Sequence, residues 1–117
     1  MIVHNSIKEY LDINPHYYRF LKTINLSRKL SQAKSYGYNV ELVLSKCSDD
    51  SDEDLRIQCV NASDIKIHDI DGMLGLLVDI KDISGRQLES CNYHITEQEE
   101  DAFSLNCEEF FVELIKN

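Results

Sequence analysis

Histidines, cysteines, serines and paired carboxylates are the side chains through which this sequence could do chemistry. His4, His16, His68 and His94 are the natural acid–base groups, because imidazole titrates closest to neutral pH. His68 and His94 fall in strand-like segments, out of phase with the apolar residues beside them, which predicts a polar, outward placement. Asp69 and Asp71 stand two apart, so on an extended chain both carboxylates point the same way, as a divalent-cation pair requires. Gly72 follows them, and an Asp-Gly turn tip is the simpler reading. Ser31, Ser45, Ser84 and Ser104 offer hydroxyl nucleophiles, yet none lies in a glycine-flanked strand-to-helix elbow beside a base. The sequence contains no phosphate-cradling glycine loop, dinucleotide fingerprint or H-E-x-x-H zinc helix. These observations predict a protein that is not an enzyme and uses no metal or cofactor.

Cys47, Cys59, Cys91 and Cys107 are widely spaced and form no C-x-x-C pair, so zinc ligation is not indicated. Each lies in or beside an apolar strand-like stretch, which predicts reduced thiols serving as small buried hydrophobes.

The carboxylates are the stronger signal. The chain of 117 residues carries a net charge of −9, unevenly placed. Residues 1–46 hold seven Lys or Arg against three Asp or Glu, while residues 47–117 hold five against eighteen. Such a surface repels phosphate backbones, excluding general nucleic-acid binding, and attracts a basic protein. Glu97, Glu99, Glu100 and Asp101 form a loop between two predicted strands, and Glu108 and Glu109 follow the second strand. Loops at alternate ends of a meander cluster, which would gather these six into one partner-binding site, with Asp69 and Asp71 as second choice. Tyr93, Phe103, Phe110 and Phe111 are interleaved with them, and aromatics inside a charged rim are common interface anatomy. Phe110 and Phe111 must point to opposite faces of a strand. One is core, and the other lies either under a helix or exposed as an anchor.

The elements that position these groups read as α+β, mainly β: an antiparallel sheet (meander, sandwich or partial barrel) with an N-terminal helix packed on it. Residues 5–25 read as helical. Ser6 starts a short turn carrying Ile7, Tyr10 and Leu11, and Asn14 caps a helix with Pro15 in its first turn. Tyr17, Phe20, Leu21 and Ile24 recur there at helical spacing. A hairpin connection is expected at 35–39, with Gly37 free to take a positive φ. Strands follow at 40–44, 55–60, 63–70, 74–80, 87–95, 102–106 and 110–115, with a solvated acidic loop at 48–54. The whole of 1–117 is expected to be one domain. The first ten residues lack an apolar run and no stretch reaches the roughly 18 apolar residues of a membrane span, which predicts a cytoplasmic protein without membrane contact.

The C-terminal third reads DIKDISGRQLESCNYHITEQEEDAFSLNCEEFFVELI. Its run of Asp82-Ile83-Ser84, Arg86-Gln87-Leu88-Glu89, Tyr93, Glu99-Glu100, Phe103, Cys107, Phe110 and Val112 resembles immunity proteins of bacterial polymorphic-toxin systems, including contact-dependent inhibition. The resemblance covers about residues 55–115. It implies a cytoplasmic antitoxin that neutralises a toxin domain by tight, stoichiometric binding, and it transfers no fold and no binding residues. Joined with the charge, it points to a basic toxin domain, such as a nuclease, as the partner. Two other classes stay open: a small enzyme or ligand-binding module using a pocket of a curved sheet, with His68 or His94 converging on carboxylates, and a homodimeric adaptor subunit.

Overall fold

The computed structural model describes residues 2–28, 37–46, 53–68, 70, 75–86, 91–99 and 101–116. Among them are eight strands in one antiparallel sheet, curled into a half-barrel. They are β1 (Ile2–His4), β2 (Phe20–Ser27), β3 (Tyr38–Ser45), β4 (Glu53–Ile67), β5 (Val78–Asp82), β6 (Tyr93–Glu97), β7 (Phe103–Cys107) and β8 (Glu109–Lys116). A short helix, α1 (Ile7–Asp12), lies between β1 and β2. Mainly β architecture with an N-terminal helix agrees with the sequence expectation.

The curl is built on β4. Its first part pairs with β8, from Glu53 opposite Lys116 to Val60 opposite Glu109. Its second part pairs with β7, from Ser63 opposite Asn106 to Ile67 opposite Phe103. Strands β7 and β8 are therefore not a hairpin. They are two parts of one line, interrupted at Glu108, which runs antiparallel along the whole of β4. The ribbon bends where Asn61 (φ 55) and Asp64 (φ 51) adopt the left-handed conformation, which Asn and Asp tolerate better than other side chains. Two subsheets diverge from the bend: β2-β3-β4-β8-β1 on one side and β4-β7-β6-β5 on the other. Gly37 sits against this corner. A Cβ on it would lie 2.2 Å from Asn61 Oδ1 and 2.8 Å from the Asn61 carbonyl carbon. Close approach, rather than the expected positive φ, is what requires glycine there; the rest of the 35–36 turn lies outside the described residues.

Alternation along the strands sends Val40, Leu42, Leu44, Leu55, Ile57, Cys59, Phe110 and Val112 inward, all nearly fully buried. From the other subsheet and the segment leading into β5, Leu76, Val78, Ile80, Ile95, Phe103, Leu105 and Cys107 meet them. Helix α1 starts at Ser6, whose side chain accepts a hydrogen bond from the Glu9 amide, as the sequence suggested. It packs inward through Tyr10, whose hydroxyl donates to the Val78 carbonyl at 2.7 Å. Burial and the neighbouring Asp79 push that phenol far above its ordinary range, so it remains a donor.

The second helix expected within 14–25 is corrected. Asn14 (φ 62) precedes only a single 3-10 turn, Pro15–Tyr17, and makes no side-chain cap; Phe20–Ser27 is strand β2. The helical spacing of Leu21 and Ile24 has another cause. A bulge at Lys22 shifts the register, so Leu21 opposes Leu44 and Ile24 opposes Leu42 on the same inner face. One extra residue turns a period of two into a gap of three. The two strands expected at 55–60 and 63–70 are the single bent β4, which ends at Ile67. Of the expected acidic loop at 48–54, Glu53 and Asp54 belong to β4, and Asp54 is buried with Lys22 Nζ 3.0 Å from its carboxylate; residues 48–52 lie outside the described set.

Candidate functional site

The expected acidic cluster divides on inspection into separate environments. Glu97 is a correction. It ends β6 with 1% of its surface exposed and is turned into the protein. Its Oε1 accepts from the Leu77 and Glu99 amides at 3.3 and 2.6 Å, and its Oε2 from the Ala102 amide at 3.0 Å. A buried carboxylate that organises the turn around it is not available to a partner. Glu99 and Asp101 are exposed on that turn, Glu99 within 3.6 Å of the Arg19 guanidinium and Asp101 at φ 53. Glu108 and Glu109 lie at the opposite end of β7, because β7 and β8 are collinear. Five strand residues at about 3.3 Å each separate the two groups by roughly 17 Å, so the anticipated single cluster does not form. Glu100, Asp69 and Asp71 lie outside the described residues.

Glu108 and Glu109 also differ from one another. Glu108 accepts a hydrogen bond from Asn61 Nδ2 at 2.9 Å, tying the interruption of β7–β8 to the bend of β4. Glu109 points from β8 onto the outer face of the five-stranded subsheet, where His4 Nε2 is 3.2 Å away. Phe110 is core, packed edge-on against Tyr93 at 4.8 Å. Phe111 is on the outer face and half-buried, with no described helix over it; the His4 ring stacks on it at 4.4 Å and 2°.

Register assembles this outer face. Asn25 opposes Glu41, Glu41 opposes Gln58, Gln58 opposes Phe111 and Phe111 opposes His4. The five side chains form one row across five strands, about 19 Å long at ordinary strand spacing. The adjacent row holds Val43, Arg56, Glu113 and Ile2. Arg56 hydrogen-bonds Glu113 and stands 3.9 Å from Glu41. On the other side of the first row, between it and Asn39 and Val60, lies a shallow groove of about 280 Å³ whose described lining contains no lysine, arginine or histidine. A second groove of about 380 Å³ runs along β2 from Arg19 to Ile24.

Neither His68 nor His94 lines these grooves. His68 is exposed at the end of β4, and His94 Nδ1 is 2.8 Å from Asn106 Oδ1 across β6–β7. Among the described residues no three His, Cys, Asp or Glu side chains come together as a metal site. Cys59, Cys91 and Cys107 are free, the first and last buried together. The hydrogen bond that the Cys59 thiol donates to its neighbour Cys107, with burial, pushes the Cys59 pKa up. Cys47 lies outside the described residues. No described helix is long and apolar enough to cross a membrane.

Sequence reasoning missed Asn25, Glu41 and Gln58. The alternation of Val40-Glu41-Leu42 and Ile57-Gln58-Cys59 already placed two of them outward; their common row depends on register, which alternation does not encode.

The fold and this geometry define a small β half-barrel that presents an open, largely polar sheet face with one half-buried aromatic ring, Phe111, beside its β1 edge. The family model described as Immunity protein PIM8 matches residues 2–113, and the chain belongs to that family. No curated protein and no solved structure matches the chain significantly.

Proposed function

We propose that this protein is a cytoplasmic antitoxin that binds a cognate bacterial toxin domain stoichiometrically and neutralises it, as in contact-dependent inhibition. The toxin domain is a basic nuclease whose cationic substrate groove is occluded by carboxylates, with Glu99, Asp101, Glu108 and Glu109 contributing. Membership of an immunity protein family over residues 2–113 is the observation that carries this reading. The net charge of −9 supplies the sign of the partner. Opposite charge speeds encounter and steers orientation, while aromatic side chains in a desolvated centre slow dissociation. Binding suffices for such a role, and no catalytic step is needed.

The test uses the toxin domain encoded beside this gene. The purified proteins should form a one-to-one complex, nuclease activity should fall to zero at equivalence, and affinity should weaken as salt is raised. No association at micromolar concentration and low salt overturns the proposal. Tight binding that is indifferent to salt overturns its electrostatic part.

A further inference from the structure

We propose that the outer-face groove lined by Asn25, Asn39, Glu41, Gln58, Val60 and Phe111 receives a lysine or arginine side chain projected by the toxin domain; this deepens the antitoxin reading and rests on it. The size fits. At about 280 Å³ the groove lies just below the roughly 300–1,000 Å³ range of small-molecule pockets, the scale of one long side chain. The chemistry of the lining is selective. Glu41 offers a carboxylate, Asn25, Asn39 and Gln58 offer amide oxygens, and Phe111 offers a ring for a cation–π contact. An anionic side chain would meet Glu41 with no cation in the described lining to offset it. An apolar one would strip water from three amides and a carboxylate without replacing those hydrogen bonds.

Two features prepare the groove for a cation. Arg56 has its closer partner in Glu113 and stands at 3.9 Å from Glu41, which leaves Glu41 acceptor capacity on the groove side. Arg28, just beyond the end of β2, is turned onto the Tyr38 ring at 5.1 Å. The aromatic wall is also fixed in advance. His4 covers the side of Phe111 toward β1, so the ring's other side is turned toward β4 and the groove. Because the lining projects from four hydrogen-bonded strands, little side-chain or backbone ordering remains to be done on binding.

Calorimetric titration with the cognate toxin domain tests the assignment, using Glu41→Gln, Gln58→Arg and, as a charge-matched control far from the groove, Asp12→Asn. Unchanged circular dichroism and melting temperature establish that each variant is folded. Glu41→Gln should weaken binding at least about thirtyfold, as loss of one partner of a buried charge pair does. Gln58→Arg, which fills the groove with its own guanidinium, should weaken it at least as much. Asp12→Asn should change affinity by less than about twofold, since it alters only distant, screened charge. If the unmodified chain binds but the groove variants bind equally well, the groove is not the contact and the antitoxin reading stands. Equal weakening by Asp12→Asn and Glu41→Gln would mean long-range charge alone acts, which also overturns the groove. Failure of the unmodified chain to bind removes the antitoxin reading itself.

Discussion

Replacing Glu97 by alanine separates a structural carboxylate from a binding one. At least three backbone amides donate to it: Leu77, Glu99 and Ala102. Glu99 is exposed, so its amide can recover a hydrogen bond from water. Ala102 is fully buried and Leu77 half-buried, and each unsatisfied buried donor costs about 1–3 kcal/mol. Two such donors set the loss at about 2–6 kcal/mol. Because the Leu77 amide is only half-buried, the lower half of that range, about 3 kcal/mol, is expected, a large share of the roughly 5–15 kcal/mol that holds a domain together. Urea unfolding followed by circular dichroism reads this directly. With a slope of about 1–3 kcal/mol per molar, the midpoint should fall by roughly 1–3 M. Glu99→Ala and Asp101→Asn, on the same turn but exposed, should stay within about 0.5 kcal/mol of the parent, asparagine being tolerated at the left-handed φ of residue 101. A Glu97→Ala midpoint within about 0.2 M of the parent at unchanged slope would refute the reasoning.

Gly37→Ala should cost about 1–3 kcal/mol in the same unfolding assay, because the new methyl group collides with Asn61 at the β4 bend. Ser84→Ala should raise the Asp82 carboxyl pKa, followed by NMR titration, since the Ser84 hydroxyl and amide hold it below its ordinary range. The sign for stability follows: a lowered native pKa contributes above the unfolded value of about 4 and is lost as pH falls through the native one. The parent should therefore lose more stability than Ser84→Ala between about pH 6 and pH 3. Under native conditions an alkylating agent should modify half-exposed Cys91 well before buried Cys59 and Cys107, read by peptide mass spectrometry. Equal rates at the three would contradict the packing of the core pair.

Much of the local structure was legible in the residues. Val40-Glu41-Leu42-Val43-Leu44 and Leu55-Arg56-Ile57-Gln58-Cys59 alternate as strands that are buried on one side, and they are so buried. Phe110 and Phe111 had to part to opposite faces, and they do. Alternation depends only on the pleat, so it survives into the fold wherever no extra residue intervenes. Where one does, at Lys22, a strand imitates the helical spacing, and the residues of β2 read as helix.

The family resemblance, the predominance of β structure and the inward or outward sense of most strand residues were set by sequence alone. The tertiary structure decided the rest: that β7 and β8 form one line along β4, that Glu97 faces inward while Glu109 faces outward, and that Asn25, Glu41, Gln58, Phe111 and His4 share a row. These are matters of register and of hydrogen bonds between residues far apart in the chain. A carboxylate in an acidic stretch carries no local mark of whether water, a partner or the protein's own amides will be its donor. Only the strands that bring Leu77 and Ala102 to Glu97 determine that.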